Sequence, residues 1–170
     1  MQDIPLEIEK KYVILIPDLA AMSEYSGYTK SEIVQTYLLS HPNITHRVRR
    51  RAYRDGRVVY TETKKVRIDR ISSFEDEREI DEQEYLSLLA LTDPSTTPVT
   101  KTRHTLPIGE LTMEIDVYSA WERCCIMEIE LPDRDTAVDL PDFITVVADV
   151  TGDKKYSNAS MSRSFPPEPV

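Results

Sequence analysis

Charged side chains recur at every second residue along one short segment after another, and this spacing strongly restricts how the chain can fold. Side chains alternate between the two faces of a β-strand, so residues two apart lie on the same face. Near the start of the chain Glu7, Glu9 and Lys11 share one face, while Leu6 and Ile8 take the other. This segment therefore predicts a strand with one charged face and one apolar face.

The same spacing returns through the rest of the chain. The further sets are Arg47, Arg49 and Arg51; Thr61, Thr63 and Lys65; Glu75, Glu77 and Glu79; Lys101 and Arg103; Glu114 and Asp116; and Glu128 and Glu130. A single charged face is common in an antiparallel sheet, where it usually faces water. Like charges on neighbouring positions repel, and a plain surface gives no reason to repeat that cost in strand after strand. We therefore expect these faces to line a shared interior in which a bound ligand offsets the repulsion.

Turn signals divide the chain into seven or eight short strands with a few helices between them. The strands are predicted at residues 6–16, 32–39, 46–54, 57–68, 73–80, 99–105, 111–119 and 123–131. Asp55-Gly56 marks the turn of a hairpin. Helices are predicted at residues 18–25, at residues 81–91 and, interrupted near Pro141, at residues 136–147. This arrangement predicts an α+β fold built on a closed or nearly closed antiparallel barrel.

Length and composition indicate how many domains the chain forms, where it is located and which partners it lacks. A chain of 170 residues favours one domain, and its last residues, rich in proline, are predicted to be a frayed tail at 164–170. No apolar run is long enough to span a membrane, so we expect a soluble, cytoplasmic protein. The net charge of −9 argues against a nucleic-acid partner.

Several familiar catalytic templates find no support in the sequence. Cys124 and Cys125 are adjacent and form neither a disulfide framework nor a metal knuckle. The three histidines have no metal-ligand or triad spacing, and there is no Gly-rich loop.

The alternating charges fit another chemistry. Carboxylates are the ligands that magnesium and manganese prefer, whereas arginine and lysine bind phosphate oxygens.

Short motifs in chain order resemble those of the CYTH superfamily, the triphosphate tunnel metalloenzymes, including its short bacterial inorganic triphosphatases. The matching elements are Glu7-Ile8-Glu9-Lys10-Lys11, Gln35-Thr36-Tyr37-Leu38, Arg47-Val48-Arg49, Thr63-Lys64-Lys65, Glu75-Asp76-Glu77 with Ile80, Lys101-Thr102-Arg103, Glu114-Ile115-Asp116, Glu128-Ile129-Glu130 and the segment from Val150 to Asn158. They cover nearly the whole chain, so the resemblance implies one CYTH domain at residues 1–163, built as an eight-stranded antiparallel tunnel with helices packed outside.

The resemblance also implies roles for individual residues. The metal ligands would be Glu7, Glu9, Glu128 and Glu130, holding two Mg²⁺ or Mn²⁺ ions. The phosphate-binding residues would be Lys11, Arg47, Arg49, Lys65, Lys101, Arg103 and Lys155. The catalytic group, which helps to place the second metal or the attacking water, would be Glu75, Glu77, Glu114 and Asp116. Lys155 stands where the family usually has arginine.

These implications predict metal-dependent hydrolysis of inorganic triphosphate, or of another small molecule bearing a triphosphate, by a monomer or homodimer. Four alternatives stay open: a class IV adenylate cyclase, a thiamine triphosphatase, a nucleoside triphosphatase and a receptor that binds polyphosphate without catalysis. Tyr25, Tyr28 or Trp121 could stack on a base or thiazole ring, although packing roles are expected for all three.

Overall fold

The computed structural model describes residues 4–170 and shows a closed antiparallel barrel. The wall follows the order β1-β5-β4-β3-β2-β6-β7-β8, and β8 pairs with β1 again. The strands are β1 Leu6–Leu15, β2 Thr29–Tyr37, β3 Thr45–Tyr53, β4 Val58–Arg67, β5 Ser72–Ile80, β6 Val99–Ile108, β7 Leu111–Val117 and β8 Cys124–Glu130. The predicted eight-stranded barrel is confirmed.

Strand β1 closes the barrel by sharing one of its edges between two partners. Residues Glu9 to Leu15 pair with β8 on one side. On the other side residues Leu6 to Ile8 pair with β5, and the following residues pair with a ninth strand, β9 Val146–Asp149. The short β9 therefore covers the part of the β1 edge that β5 leaves open, and an unpaired edge there would expose backbone groups.

The helices are short and lie between strands. They are α1 Leu19–Met22, α2 Glu82–Leu88 and α3 Asn158–Met161, with 3₁₀ turns at Leu89–Leu91 and Lys154–Tyr156. Asp18 and Asp81 cap α1 and α2 by accepting bonds from Ala21 N and Glu84 N, which satisfies one of the backbone donors that a helix start leaves open.

The prediction of a helix at residues 136–147 is wrong. These residues run as an irregular segment that leads into β9. Pro141 lacks a backbone N–H and disfavours helical geometry in the residue before it. The apolar residues of the segment, among them Leu140 and Phe143, instead pack against the outer face of the barrel.

Two apolar clusters cover the outside of the wall. The first contains Ile8, Ile14, Met113, Ile115, Met127 and Ile129, the residues that alternate with the charged positions of β1, β7 and β8. The second lies beneath α2 and contains Leu38, Val48, Ile80 and Tyr85. Because apolar residues occupy one face of β1, β7 and β8, the charged residues between them point to the other.

A third apolar cluster, which we call the plug, lies at the end of the barrel where β2 stops and β6 and β8 begin. Its buried residues are Val13, Tyr37, Val99, Tyr118, Trp121, Cys124, Ile126, Val150, Tyr156 and Met161. The chain after β9 contributes the last three and packs Phe165 against Tyr118 and Trp121.

Phe165, Pro166 and Glu168, in the segment expected to fray, contact the plug and the start of β8, and the frayed tail stays a prediction. Pro166 O accepts a bond from Trp121 Nε1 at 3.0 Å. Glu168 Oε1 accepts bonds from the backbone N–H groups of Arg123 and Cys124. Among the prolines of this segment, Pro166 is buried and presents its carbonyl group to the plug. The boundary of a single domain at residues 1–163 stays a prediction.

Candidate functional site

The strand register brings the charged faces together inside the barrel. Glu9 lies opposite Glu130 between β1 and β8. One step along, Lys11 lies opposite Glu128, which in turn lies opposite Glu114 on β7. The residues predicted to bind metal therefore lie next to one another in the wall.

Ion pairs inside the barrel join strands that are not neighbours. Lys65 Nζ on β4 lies 2.8 Å from Glu7 Oε2 on β1, although β5 separates these strands. The same nitrogen lies 3.5 Å from Glu75 on β5. Such contacts require the side chains to point to the same side of the wall, as the alternating pattern predicts.

Five carboxylates form what we call the acidic group: Glu7, Glu9, Glu114, Glu128 and Glu130. Burial, followed by the negative charge of Glu128, raises the pKa of Glu9 to about 7. Burial, followed by the charges of Glu7 and Glu114, also raises the pKa of Glu130. A cation placed among these carboxylates would remove the repulsion that contributes to the raised pKa values.

Glu128 lies where the acidic group meets the cationic side chains. Its Oε1 is 3.2 Å from Lys11 Nζ. Burial opposes ionisation of this carboxyl, but Lys11, Lys101 and Arg103 together lower its pKa to about 2. Glu128 is therefore ionised over the whole physiological range and can bridge a metal ion and the cations beside it.

Four cations, Arg47, Arg49, Lys101 and Arg103, form what we call the basic group. Arg49 donates through Nε and Nη2 to Gln35 Oε1, at 3.2 and 3.0 Å. Burial, followed by repulsion from Arg47 and Arg103, lowers the pKa of Arg49 to about 10. A neutral amide thus holds this guanidinium in position and leaves its charge uncompensated.

Asp116 neutralises only part of the basic group. Its Oδ2 accepts a bond from Lys101 Nζ at 2.7 Å, and its two oxygens accept bonds from Arg103 at 2.7 and 2.8 Å. Burial opposes its ionisation, yet the two cations hold the pKa of Asp116 well below its usual range. Arg103 also pairs with Glu114, but burial, with repulsion from Arg103 and Arg49, lowers the pKa of Lys101 to about 7. The residual field favours an anion.

Three buried polar atoms in the described part of the chain have no hydrogen-bond partner, and all three belong to inward positions. They are Arg47 Nε, Thr61 Oγ1 and Thr105 Oγ1. A buried polar group without a partner costs roughly 1–3 kcal/mol, so each marks a place for a ligand oxygen or a water molecule. Within the basic group, Arg47 Nε offers a donor without a partner.

The remaining candidates are placed less uniformly. Glu75 faces Lys65 and lies 3.8 Å from Arg47, whereas Glu77 is exposed and accepts a bond from Thr63 Oγ1 at 2.9 Å. Lys155 is exposed and lies 5.2 Å from the ring centroid of Tyr156, apart from the buried cations. Its predicted phosphate contact stays a prediction, as do the roles of the other candidates.

No cluster of three or more His, Cys, Asp or Glu side chains with metal-binding geometry occurs within residues 4–170. Two carboxylates of the acidic group are instead paired with cations, Glu7 with Lys65 and Glu128 with Lys11. The residue types nevertheless fit a hard divalent cation, because several carboxylates meet there and two have raised pKa values. The predicted metal ligands therefore need a change of partner before they can converge.

Sequence reasoning assigned no role to two polar residues that position the basic group. Asn158 Oδ1 accepts bonds from Tyr118 OH at 2.8 Å and from Lys101 Nζ at 3.4 Å, so the segment after β9 reaches the interior. Gln35 holds Arg49. Both belong to the motif elements named above, but their contacts join distant parts of the chain and leave no local pattern.

The aromatic residues considered as stacking platforms are engaged elsewhere. Trp121 is buried in the plug, Tyr28 OH bonds to His104 Nδ1 at 2.7 Å, and Tyr25 lies against Phe143 with ring centroids 5.6 Å apart.

A cleft of about 1120 Å³ lies at the turn between β6 and β7 and is lined by Glu130, Asp139 and Leu140 among others. It adjoins the acidic group.

Among residues 4–170, no helix has the length and apolar character needed to cross a bilayer. No protein-family model and no curated protein matches the chain.

Solved structures show where the fold has been seen before. The chain is similar to a structure described as the inorganic triphosphatase NE1496, at 25% identity and a TM-score of 0.58, over 98% of both chains. It is also similar to the PH1012 protein of Pyrococcus horikoshii OT3, at 20% identity and a TM-score of 0.54, over 76% of this chain and 80% of that one. A putative adenylyl cyclase of Hippeastrum, described as having a dominant triphosphatase activity, matches at 18% identity and a TM-score of 0.50, over 75% and 80%. These neighbours confirm the resemblance predicted from the motifs.

Proposed function

We propose that this chain, which shares the fold of the CYTH superfamily, hydrolyses inorganic triphosphate to pyrophosphate and phosphate with Mg²⁺ or Mn²⁺. One observation carries the proposal: an acidic group and an only partly neutralised basic group lie side by side inside one closed barrel. A triphosphate that brings metal ions with it supplies the partner that each group lacks. The similarity to a structure described as an inorganic triphosphatase supports the same reaction.

The carboxylates of the acidic group would hold the ions. Glu7, Glu9, Glu128 and Glu130 supply the hard oxygen ligands that Mg²⁺ and Mn²⁺ prefer. Bound there, the ions would neutralise charge on the phosphate chain and lower the pKa of an attacking water.

The cations would hold the phosphate chain. Arg47, Arg49, Lys101 and Arg103 present donors to phosphate oxygens in a buried setting, where such bonds are strong. Lys11 and Lys65 are each bound to a carboxylate of the acidic group, and each lysine would become available to the phosphates where its carboxylate instead held a metal ion. Held at several points, the chain has one orientation in which attack on the terminal phosphorus is in line.

Glu77 and Glu114 are the two candidates to orient the attacking water. Among the described residues, Glu77 accepts a hydrogen bond from the hydroxyl group of Thr63. Glu114 is bound to Arg103 Nη1 at 2.5 Å. Glu75 is paired with Lys65 and Asp116 with Lys101 and Arg103. We therefore propose Glu77 for the water and assign Asp116 to positioning the two cations.

Phosphate release from a panel of substrates tests the proposal. Tripolyphosphate, ATP, thiamine triphosphate and pyrophosphate are each incubated with Mg²⁺, with Mn²⁺ and with a chelator. We expect metal-dependent release from tripolyphosphate and little from ATP. Cyclic AMP formation from ATP, or release that survives the chelator, would contradict the proposal.

Substitution of the acidic group links the activity to the site. Glu9→Ala and Glu130→Ala are expected to abolish turnover while the protein stays folded, as judged by circular dichroism. Glu24→Ala is the matched control, because Glu24 is exposed and lies outside the barrel strands. Full activity in either acidic-group variant would remove that carboxylate from the metal site.

A further inference from the structure

Two of the four cations of the basic group donate to a neutral amide. Arg49 donates to Gln35 Oε1 through Nε and Nη2. Lys101 donates to Asn158 Oδ1 at 3.4 Å, in addition to its bond with Asp116. An amide oxygen accepts a hydrogen bond but carries no net charge, so it holds a cation in place without cancelling the charge that binds an anion.

Each of these amides is bound in turn to a tyrosine of the plug. Gln35 Nε2 donates to Tyr37 OH at 3.0 Å, and Tyr118 OH donates to Asn158 Oδ1 at 2.8 Å. Tyr37 and Tyr118 are both buried members of the plug. The plug therefore reaches the basic group through two tyrosine–amide pairs.

The Tyr118–Asn158 pair is held in place by its surroundings. Tyr118 is only 2% exposed, and its ring centroid lies 5.3 Å from that of Phe165 and 6.3 Å from that of Trp121. Asn158 is the first residue of α3, whose start is capped by the side chain of Ser157. The tyrosine hydroxyl and the amide are thus both attached to parts of the chain that the fold itself orders.

Among the described residues, two acceptors take two of the three ammonium donors of Lys101. Asp116 Oδ2 lies 2.7 Å from Lys101 Nζ, and Asn158 Oδ1 is the second acceptor. The lysine ammonium is a point charge with three N–H donors on a flexible stem. One acceptor would let the ammonium rotate about a single bond, whereas two acceptors define the direction of the third donor.

We propose that Tyr118 and Asn158 are positioning residues that direct the third ammonium donor of Lys101 toward the bound triphosphate. The inference rests on the proposed function and adds two residues to those that prepare the phosphate site. The tyrosine hydroxyl holds the amide oxygen, and the amide oxygen holds the lysine. A lysine that is ordered in advance loses less conformational entropy when a phosphate binds.

Tyr118→Phe and Asn158→Ala test these roles. Affinity for tripolyphosphate is measured calorimetrically with a chelator present, and KM and kcat are measured with Mg²⁺. We expect Asn158→Ala to weaken binding and to raise KM by roughly three- to tenfold, the cost of ordering a free lysine side chain when the ligand binds. Tyr118→Phe keeps the ring and removes the hydroxyl group, so it should act in the same direction by a smaller factor. The value of kcat should change little, because a contact made equally to substrate and transition state affects KM alone.

A double-mutant cycle shows whether Asn158 acts through Lys101. In a Lys101→Met background, Asn158→Ala should cause no further loss of affinity. Asn158→Asp keeps an acceptor but adds a negative charge beside the lysine, so it should weaken tripolyphosphate more than Asn158→Ala does. Tyr85→Phe is the matched control, because Tyr85 of α2 is buried in an apolar cluster outside the wall. It should leave KM and kcat unchanged, and matched melting temperatures show that the variants fold.

Three outcomes would each overturn the proposal: full affinity in Asn158→Ala, an equal loss when Lys101 is already replaced, or equal effects of Tyr118→Phe and Tyr85→Phe. A lower kcat with unchanged KM and a reduced melting temperature would also overturn it, because that result indicates a role in folding alone. A wild-type protein that binds tripolyphosphate, loses affinity in Asn158→Ala and yet releases no phosphate would contradict the proposed function alone.

Discussion

Replacing Glu9 by glutamine is expected to stabilise the metal-free protein at alkaline pH. Glu9 is partly buried, lies opposite Glu130, and has a pKa of about 7 because burial and the charge of Glu128 oppose its ionisation. Above that pH the folded barrel must carry a charge that Lys11 and Lys65 compensate only in part. Glutamine has nearly the same shape and removes the charge.

The size and sign of this effect follow from the shift in pKa. Unfolding lets the carboxyl ionise near its ordinary value of 4.5, so between that value and about 7 the folded state holds a proton that the unfolded state has lost. The contribution of Glu9 to stability therefore falls as pH rises through this window. A shift from 4.5 to about 7 corresponds to about 3 kcal/mol at 1.36 kcal/mol for each unit.

Urea denaturation with a chelator present measures the difference between wild-type protein and Glu9→Gln at pH 5 and at pH 8. We expect Glu9→Gln to be more stable by up to about 3 kcal/mol at pH 8 and by much less at pH 5. Glu24→Gln, an exposed control, should show no such pH-dependent gain. Added Mg²⁺ or Mn²⁺ should stabilise the wild type more than the variant. A variant less stable than wild type at pH 8 would refute the electrostatic reasoning.

Three further outcomes are expected. Arg49→Ala should raise KM for tripolyphosphate roughly 10- to 100-fold, the effect of losing a charge-assisted bond of about 1.5–3 kcal/mol, and an unchanged KM in steady-state kinetics would contradict its phosphate role. With metal saturating, kcat/KM should fall as pH rises above about 7, because Lys101 then loses the charge that binds phosphate; a profile that stays flat while pH rises further would exclude this role. Gly152→Ala should destabilise the fold more than Gly56→Ala in urea denaturation. Both glycines have positive φ, which costs roughly 1–2 kcal/mol for other residues. An added Cβ at Gly152 would lie 2.7 Å from Arg70 O, whereas an added Cβ at Gly56 would have no atom within 4 Å. Equal losses would show that the contact with Arg70 is unimportant.

The inward and outward faces of the strands could be predicted from the sequence because a strand alternates strictly. Once Glu9 faces the interior, Ile8 must face outward, and the observed outer core contains it. The hairpin turn at Gly56 could likewise be predicted from neighbouring residues, because it requires the positive φ of 89° that glycine adopts readily. Patterns that span two to four residues are therefore enough to predict most of the barrel.

Features that depend on contacts between distant residues left no such pattern. The strand Val146–Asp149 forms because β5 leaves part of the β1 edge unpaired, a condition set by more than 60 residues of intervening chain. The last residues contact the barrel because Trp121 and the backbone N–H groups of Arg123 and Cys124 offer donors to them. Asp116 was assigned to the catalytic group by its position in a motif, whereas its two cationic partners can be seen only in three dimensions.

If the proposed function is right, the ion pairs inside the barrel predict that metal and phosphate would bind cooperatively. Lys65 and Lys11 are bound to Glu7 and Glu128, so neither the carboxylates nor the lysines are fully available while these pairs persist. A cation that takes Glu128 frees Lys11 for an anion, and an anion that takes Lys11 frees Glu128 for a cation. Because linkage is reciprocal, each ligand must raise the affinity for the other by the same factor. Charges that neutralise one another inside the barrel would thus disfavour binding of either ligand alone and favour the metal–triphosphate complex.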